Sequence, residues 1–424
     1  MRNDEGAATT SAELRAHNLA RLLRAVHDGG GRRTRAELTR LLGLARGTAT
    51  VLVRELGTQE LITELPADEL PERAERAQRA RGRPTGVPSA HKNGPVALAV
   101  ELRDDSFTTA AFELTGRCQV LGRWERDAAT GSEAVTQLVA ALARHRRKFS
   151  GRVIGTGVAV PSPVSAGKMV QPMLADWHGL DVAGALGPDG RAKDPGPVLV
   201  GNDATLAGLA EARRGVLSGV PVALHLHAAT GIGGVLLTGG QPSIGAHGAA
   251  GEFGHMPLTG GRESCRCGAV GCWELDAGAL GLLREAGLPE HGDRMEAAAQ
   301  VIAAAATDPA SARAVASVAR SLGSGIGALV NAHDPEAVGL SGLAASLLRA
   351  APDAVRDGYL SALMRFRRES PPDLLPSTLG DLGALTGAAE LAFDAFLTPR
   401  GLASWRRYSA ASGGRPPQTP PKTA

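Results

Sequence analysis

The stretch that decides the fold is Gly251-Glu-Phe-Gly-His-Met-Pro-Leu258 followed, six residues later, by Cys265-Arg-Cys-Gly-Ala-Val-Gly-Cys-Trp-Glu274. The 424-residue chain has four cysteines; Cys265, Cys267 and Cys272 crowd into this run, and Cys118 lies far from it. This is a poor disulfide framework but a good set of metal ligands. The His255 imidazole and the three thiolates, at spacings x9, x1 and x4, close a tetrahedral shell and leave no open position for substrate or water. The expected cofactor is therefore a structural Zn2+. It would tie the loop after Gly254 to residues 262–274 and so fix the neighbouring Glu252 and Glu274.

Around this centre, VALAVEL from Val96, TTAAFEL from Thr108, VIGTGVAV from Val153 and PVLVG from Pro197 read as short β-runs. VALHLHAATGIGGVLLTGG reads as two β-runs joined through a glycine turn. Helical stretches at Glu133–Arg147 and Leu206–Arg214 lie between them, so the expected class is α/β, with helices covering strands. Residues 353–378 and the proline-rich end read as loop and disorder.

Upstream the pattern changes. Leu14, Leu19, Leu22, Leu23 and Val26 recur at helical spacing and stop at Gly29, Gly30 and Gly31. Thr34-Arg-Ala-Glu37 is a capping box that opens a second helix bearing Leu38, Leu41 and Leu42 on one face. Gly43 turns the chain into a third helix from Ala45, with Ala49, Leu52, Val53 and Leu56 on its buried side. Two short helices about such a turn form a helix-turn-helix, in which the start of the second helix reaches base edges in the major groove. Arg46, Thr48 and Thr50 are the candidates: Arg46 can pair bidentately with guanine, and the threonines can meet phosphate or a thymine methyl. Leu61-Ile-Thr-Glu-Leu65 suits a wing. Arg81-Gly-Arg-Pro84 has two readings, Arg81 and Arg83 inserted in a narrow A·T-rich minor groove or a solvated linker between domains.

The order of motifs resembles the ROK (repressor, ORF, kinase) family from about residue 12 to 400. Val200-Gly-Asn-Asp-Ala204 resembles its catalytic Asn-Asp motif and Ala229-Thr-Gly-Ile-Gly-Gly234 its second phosphate loop. GVAVPSPVSAG from Gly157, together with Trp177, resembles its sugar-site loops, and Leu379–Ala389 its closing helix. The resemblance implies a two-lobed, actin-like (ribonuclease H-like) sugar-kinase fold over 95–405. It would follow a winged helix-turn-helix at 1–66 and a basic linker at 67–94, with a disordered tail at 406–424. It also implies a sugar or sugar phosphate effector held by Asn202, Asp203, Glu252, His255 and Glu274. His255 would use one ring nitrogen for the metal and the other for the sugar. In the family's kinases the position of Asp203 is the general base.

The first phosphate loop of those kinases carries glycine, whereas Val100-Glu-Leu-Arg-Asp-Asp-Ser-Phe107 has none and bears three carboxylates that would repel a triphosphate. The adenosine-side motif is reduced to Gly339-Leu-Ser-Gly342. Asp203 is then a vestigial base, the chain is no enzyme, and the expected function is a sugar-responsive repressor that binds a palindromic double-stranded DNA operator as a homodimer or larger homo-oligomer. The rival reading is an ATP-dependent sugar kinase with an accessory DNA-binding domain. A sensor of a protein partner is also compatible with the resemblance.

Composition agrees with a folded chain of several domains: 43% of residues are apolar, only 3% aromatic, and 55 are glycine. The net charge is +3, but residues 1–94 hold 16 Lys+Arg against 12 Asp+Glu, so the positive excess sits at the front, as phosphate binding would want. With no apolar leader and no bilayer-length apolar run, the chain is expected in the cytoplasm without membrane insertion.

Overall fold

The computed structural model describes residues 10–66, 86–103, 106–125, 131–149, 151–165, 167–169, 181–187, 196–291 and 293–411. The chain opens with α1 (Ser11–Asp28), α2 (Arg35–Leu41) and α3 (Arg46–Thr58). The expected capping box forms at Thr34, whose hydroxyl accepts from the Glu37 N–H while the Glu37 carboxylate accepts from the Thr34 N–H. An equivalent box at Thr10 and Glu13 starts α1. On α3 the buried residues are the four expected, Ala49, Leu52, Val53 and Leu56. Strand β1 (Ile62–Leu65) then pairs antiparallel with β2 (Val87–Ala90). The stretch expected as a linker up to 94 therefore ends in a paired strand, because Val87 is apolar and buried and its backbone finds partners on β1. Arg81 and Arg83 lie outside the described residues.

Two five-stranded sheets follow. The first is built from β3 (Val96–Leu102), β4 (Ser106–Glu113), β5 (Cys118–Glu125), β6 (Val153–Val160) and β9 (Val198–Asn202), in the order β5-β4-β3-β6-β9. Helix α4 (Gly131–Lys148), the small β7–β8 hairpin (Val164–Ser165 with Lys168–Met169) and α5 (Val182–Leu186) fall between its strands. Every residue of β3 is buried. Val96, Leu98, Val100 and Leu102 face one apolar cluster with α4, and Ala97 and Ala99 face another, as a strand covered on both sides requires.

Helix α6 (Asp203–Arg214) leads into the second sheet: β10 (Val222–Ala228), β11 (Ile232–Thr238), β12 (Gln241–Pro242), β13 (Ala337–Gly342) and β14 (Asp373–Pro376). Its order is β12-β11-β10-β13-β14. Numbered along the chain, both sheets run third-second-first-fourth-fifth, with an antiparallel meander followed by parallel additions, so the two lobes repeat one topology. Between β12 and β13 lie α7 (Glu274–Ala277), α8 (Ala279–Glu285), α9 (Arg294–Ala304) and α10 (Pro309–His333), and between β13 and β14 lie α11 (Leu343–Ala350) and α12 (Pro352–Ala362).

Residues 353–378 were expected as loop and disorder; they form most of α12, a short 3-10 turn and β14. Pro352 sits in the first turn of α12, where it costs no hydrogen bond, and Val355 and Tyr359 bury one face, with the Tyr359 hydroxyl donating to the Pro372 carbonyl (3.0 Å). Finally α13 (Gly383–Phe396) returns to the first sheet, and α14 (Pro399–Ala411) runs past the expected tail boundary at 406, so residues 406–411 are helical. Trp405 on α14 is buried and donates from its indole to the Gln59 carbonyl at the end of α3 (2.9 Å). One continuous apolar cluster joins Leu23 and Leu56 of the N-terminal helices to Phe112, Phe393 and Phe396 of the first lobe.

Candidate functional site

His255 ends a short 3-10 turn after β12, and the cysteines sit on the irregular loop before α7. The ligand atoms of His255, Cys265, Cys267 and Cys272 lie within 4.8 Å of one another. The Cys265 Sγ is 3.6 Å from His255 Nδ1, and Cys267 Sγ is 3.6 Å from Cys272 Sγ. A tetrahedral ion with bonds of about 2.3 Å to sulfur and about 2.0 Å to nitrogen needs ligand separations of roughly 3.5–3.8 Å, which these two pairs meet, so the cluster could hold a metal ion. Burial and the two neighbouring sulfurs push the Cys272 thiol up to about 12, whereas at Cys267 burial is outweighed by hydrogen bonds with the Ala269 backbone and with the other two cysteines, which lower the thiol.

The other face of His255 points elsewhere. Its Nε2 is 3.9 Å from Glu252 Oε2, while Nδ1 is 3.5 Å from Glu274 Oε1. Glu274 is buried at the start of α7, and a Cβ at Gly231 would lie 2.5 Å from its carboxylate. Any side chain at 231 in the β10–β11 turn would therefore require the Glu274 carboxylate to move.

Asn202 and Asp203 arrive from the end of β9. The Asn202 side-chain oxygen accepts from the Thr205 N–H (2.9 Å) and caps α6, and its amide nitrogen donates to the Ser162 carbonyl (3.3 Å). Asp203 accepts from the Ala204 N–H (2.7 Å). Burial raises the Asp203 carboxyl to about 7; the Ala204 bond opposes this, and the charges of Glu101 and Glu252 add to it. Glu252 is raised in the same way, by burial first. The five residues expected to hold a sugar thus divide into Glu252, His255 and Glu274 on the metal-bearing loop and Asn202 and Asp203 at the mouth of α6, electrostatically coupled through Glu252. Trp177 lies outside the described residues.

Near the end of β3, Glu101 is 4% exposed and accepts from Nε of Arg103 in the turn that follows (3.0 Å). The turn therefore holds a cation as well as carboxylates, which composition alone did not suggest; Asp104 and Asp105 lie outside the described residues. Ser341, in the reduced Gly339–Gly342 motif, bridges His225 Nε2 (3.1 Å) and His227 Nδ1 (2.8 Å). Burial lowers both rings, to about 3 and about 4, so the strands there are tied by a neutral polar chain.

On α3, Arg46, Thr48 and Thr50 are exposed, and the Thr50 hydroxyl donates to the Arg46 carbonyl (2.9 Å). The sequence reading missed Val51, 50% exposed although apolar, and Arg54; Arg54 follows the i, i+4, i+8 row from Arg46 through Thr50 that could have marked it, and Val51 lies beside that row. A cleft of about 380 Å³ opens between α3 and the ribbon, lined in part by Arg35, Thr50, Arg54 and His91.

Comparison with known proteins matches residues 97–395 to the ROK family. The chain is 30% identical to a kanosamine kinase of Amycolatopsis mediterranei over 62% of its length and 84% of the kinase. It is 22% identical to the xylose repressor of Bacillus subtilis over 86% of its length and 92% of the repressor. Among solved structures, a ROK family transcriptional regulator, a homologue of the E. coli MLC protein, superposes with TM-score 0.67 at 22% identity and covers 92% of this chain and 98% of its own. A Streptomyces griseus ROK family glucokinase gives TM-score 0.60 at 24% identity, covering 70% of this chain and 99% of its own. Among the described residues no helix is long and apolar enough to cross a membrane. With the family's match spanning both lobes, from residue 97 to residue 395, the chain belongs to the ROK family.

Proposed function

We propose that this chain is a transcription regulator, a repressor of sugar uptake or metabolism genes, which binds a sugar or sugar phosphate in a kinase-like domain and DNA through α1–α3 and the β1–β2 ribbon. The observation that carries this reading is coverage: the xylose repressor aligns over 86% of the chain, whereas the kanosamine kinase reaches only 62%. In this reading α3 enters the major groove with Arg46, Thr48, Thr50, Val51 and Arg54 toward the DNA, and a homodimer presents two such helices to a palindromic site. Zinc at His255, Cys265, Cys267 and Cys272 is structural and holds Glu252 and Glu274 in position to accept from sugar hydroxyls, with His255 Nε2 facing the same space.

The kinase reading has one observation in its favour: the Asp203 carboxyl, raised to about 7, suits a general base. Against it, the turn after β3, Arg103-Asp-Asp105, has no glycine at which backbone N–H groups could approach a phosphate. The deciding experiment is fluorescence anisotropy at fixed salt on duplexes selected by the protein from a random pool, titrated with free and phosphorylated sugars, beside an ATP-turnover assay. Selective DNA binding shifted by one sugar supports the regulator; absence of selective binding, with ATP turnover that disappears in Asp203→Asn, replaces it by the kinase.

A further inference from the structure

Helix α6 has functional groups at both ends. At its start stand Asn202 and Asp203, the sugar-facing pair. Eleven residues on, a rise of roughly 16 Å along one rigid element, Arg213 and Arg214 enter an ion cluster that belongs half to the N-terminal helices. Arg214 Nη1 donates to the His27 carbonyl oxygen (2.9 Å) and its Nε to Glu390 Oε1 (2.8 Å). Arg213 donates to Glu390 Oε2 (2.9 Å) and clamps Asp394 with two further bonds (2.9 and 2.8 Å), and Arg24 of α1 reaches the same Asp394 (2.7 Å).

The His27 side chain, at 0% exposure, lies 2.9 Å from Glu390 Oε2 through Nε2 and 2.6 Å from the Leu114 carbonyl through Nδ1. A carbonyl only accepts, so Nδ1 carries a proton, and Nε2 is left facing Glu390 on one side and Arg214 on the other. A buried carboxylate answered by two guanidiniums and an imidazole tolerates little displacement, because moving one partner leaves the others charged and unpaired. Helices α6 and α13 are in direct backbone contact: a Cβ on Gly387 of α13 would fall on the Leu206 carbonyl oxygen of α6.

We propose that α6 is the element that links the two functions, with Arg213 and Arg214 as positioning residues that set the orientation of α1, and through it α3, according to what is bound beside Asp203. This rests on the regulator reading and names how its sugar site is read. Displacement of α6 on closure around a sugar is delivered at His27 and Arg24 without passing through the stretch between β1 and β2. The coupling is reciprocal, so DNA held by α3 alters sugar affinity by the same factor.

The test uses the full chain with D-glucose or D-xylose, whichever calorimetry shows to bind more tightly. Backbone hydrogen exchange is followed over residues 22–28 with and without saturating sugar, in the parent and in Glu390→Gln, Asp394→Asn and Arg24→Gln. Expected is a sugar-dependent change in this segment of the parent that is lost in the variants, while their sugar affinity stays within about twofold. The partly exposed Arg24 and Asp394 supply the answer if Glu390→Gln fails to fold. A segment indifferent to bound sugar in the parent, an unaltered response in folded variants, or binding of neither sugar overturns the proposal. Anisotropy on selected DNA reads the regulator function separately: a parent that shows the exchange response and binds no DNA retains the link and loses the regulator.

Discussion

Asp203 illustrates how one position serves two demands. Its carboxyl is pushed by burial from 3.8 to about 7, so in the folded protein the ionised form is disfavoured relative to the unfolded chain. A carboxyl raised on folding costs stability as pH climbs from the unfolded value through the folded one. Asp203→Asn should therefore gain Tm over the parent as pH rises from 5 to 8 while binding sugar more weakly; a Tm difference that does not change with pH contradicts the cause assigned. At the metal cluster, Cys265→Ala or prolonged chelation should abolish metal retention in elemental analysis and lower Tm, since a structural ion contributes its binding energy to folding. The metal ligands were legible because local spacing carries their chemistry, whereas Asp203 was marked only by the resemblance of Val200–Ala204 to a family motif. His27 was not: it sits one place past the apolar row ending at Val26, and its partner Glu390 is 363 residues away.

Among elements, those whose signal is local were read well and those held by distant packing were not. The Thr34–Glu37 box and the buried row of α3 follow from hydrogen bonds and periodicity within a dozen residues. Thr34→Ala should cost about 1 kcal/mol in denaturant unfolding, and Thr34→Ser should restore most of it. By contrast β14 is four residues long, Asp-Leu-Leu-Pro, and becomes a strand because β13 offers it a parallel edge. The strand β2 is likewise defined by β1 rather than by its own sequence, Val-Pro-Ser-Ala. Helix α14 was not read as a helix, since residue 405 was taken as the end of a domain and 406–424 as a disordered tail; its Trp405 is a packing partner of the N-terminal helices.

For the whole molecule, two lobes of one topology carry a third, smaller unit fastened by a buried ion cluster rather than by the chain connection alone. Burial tends to raise Glu390, but the hydrogen bond and charge of His27 and the charges of Arg214 and Arg213 outweigh it and hold the carboxyl well below its ordinary 4.5. A carboxyl depressed on folding stabilises above its unfolded value, and that contribution is lost as pH falls below it. Acidification from pH 5 to 3 should thus loosen α1 before the lobes, seen as earlier exchange of residues 22–28 than of β3; simultaneous loss would count against it. The same fastening has a consequence for biosynthesis. His27 leaves the ribosome 363 residues before Glu390, and Gln59 leaves it 346 residues before Trp405. For most of translation the N-terminal helices have emerged without their anchors, so a nascent or prematurely terminated product carries α1–α3 without the ion pairs and the indole contact that fix them to the first lobe.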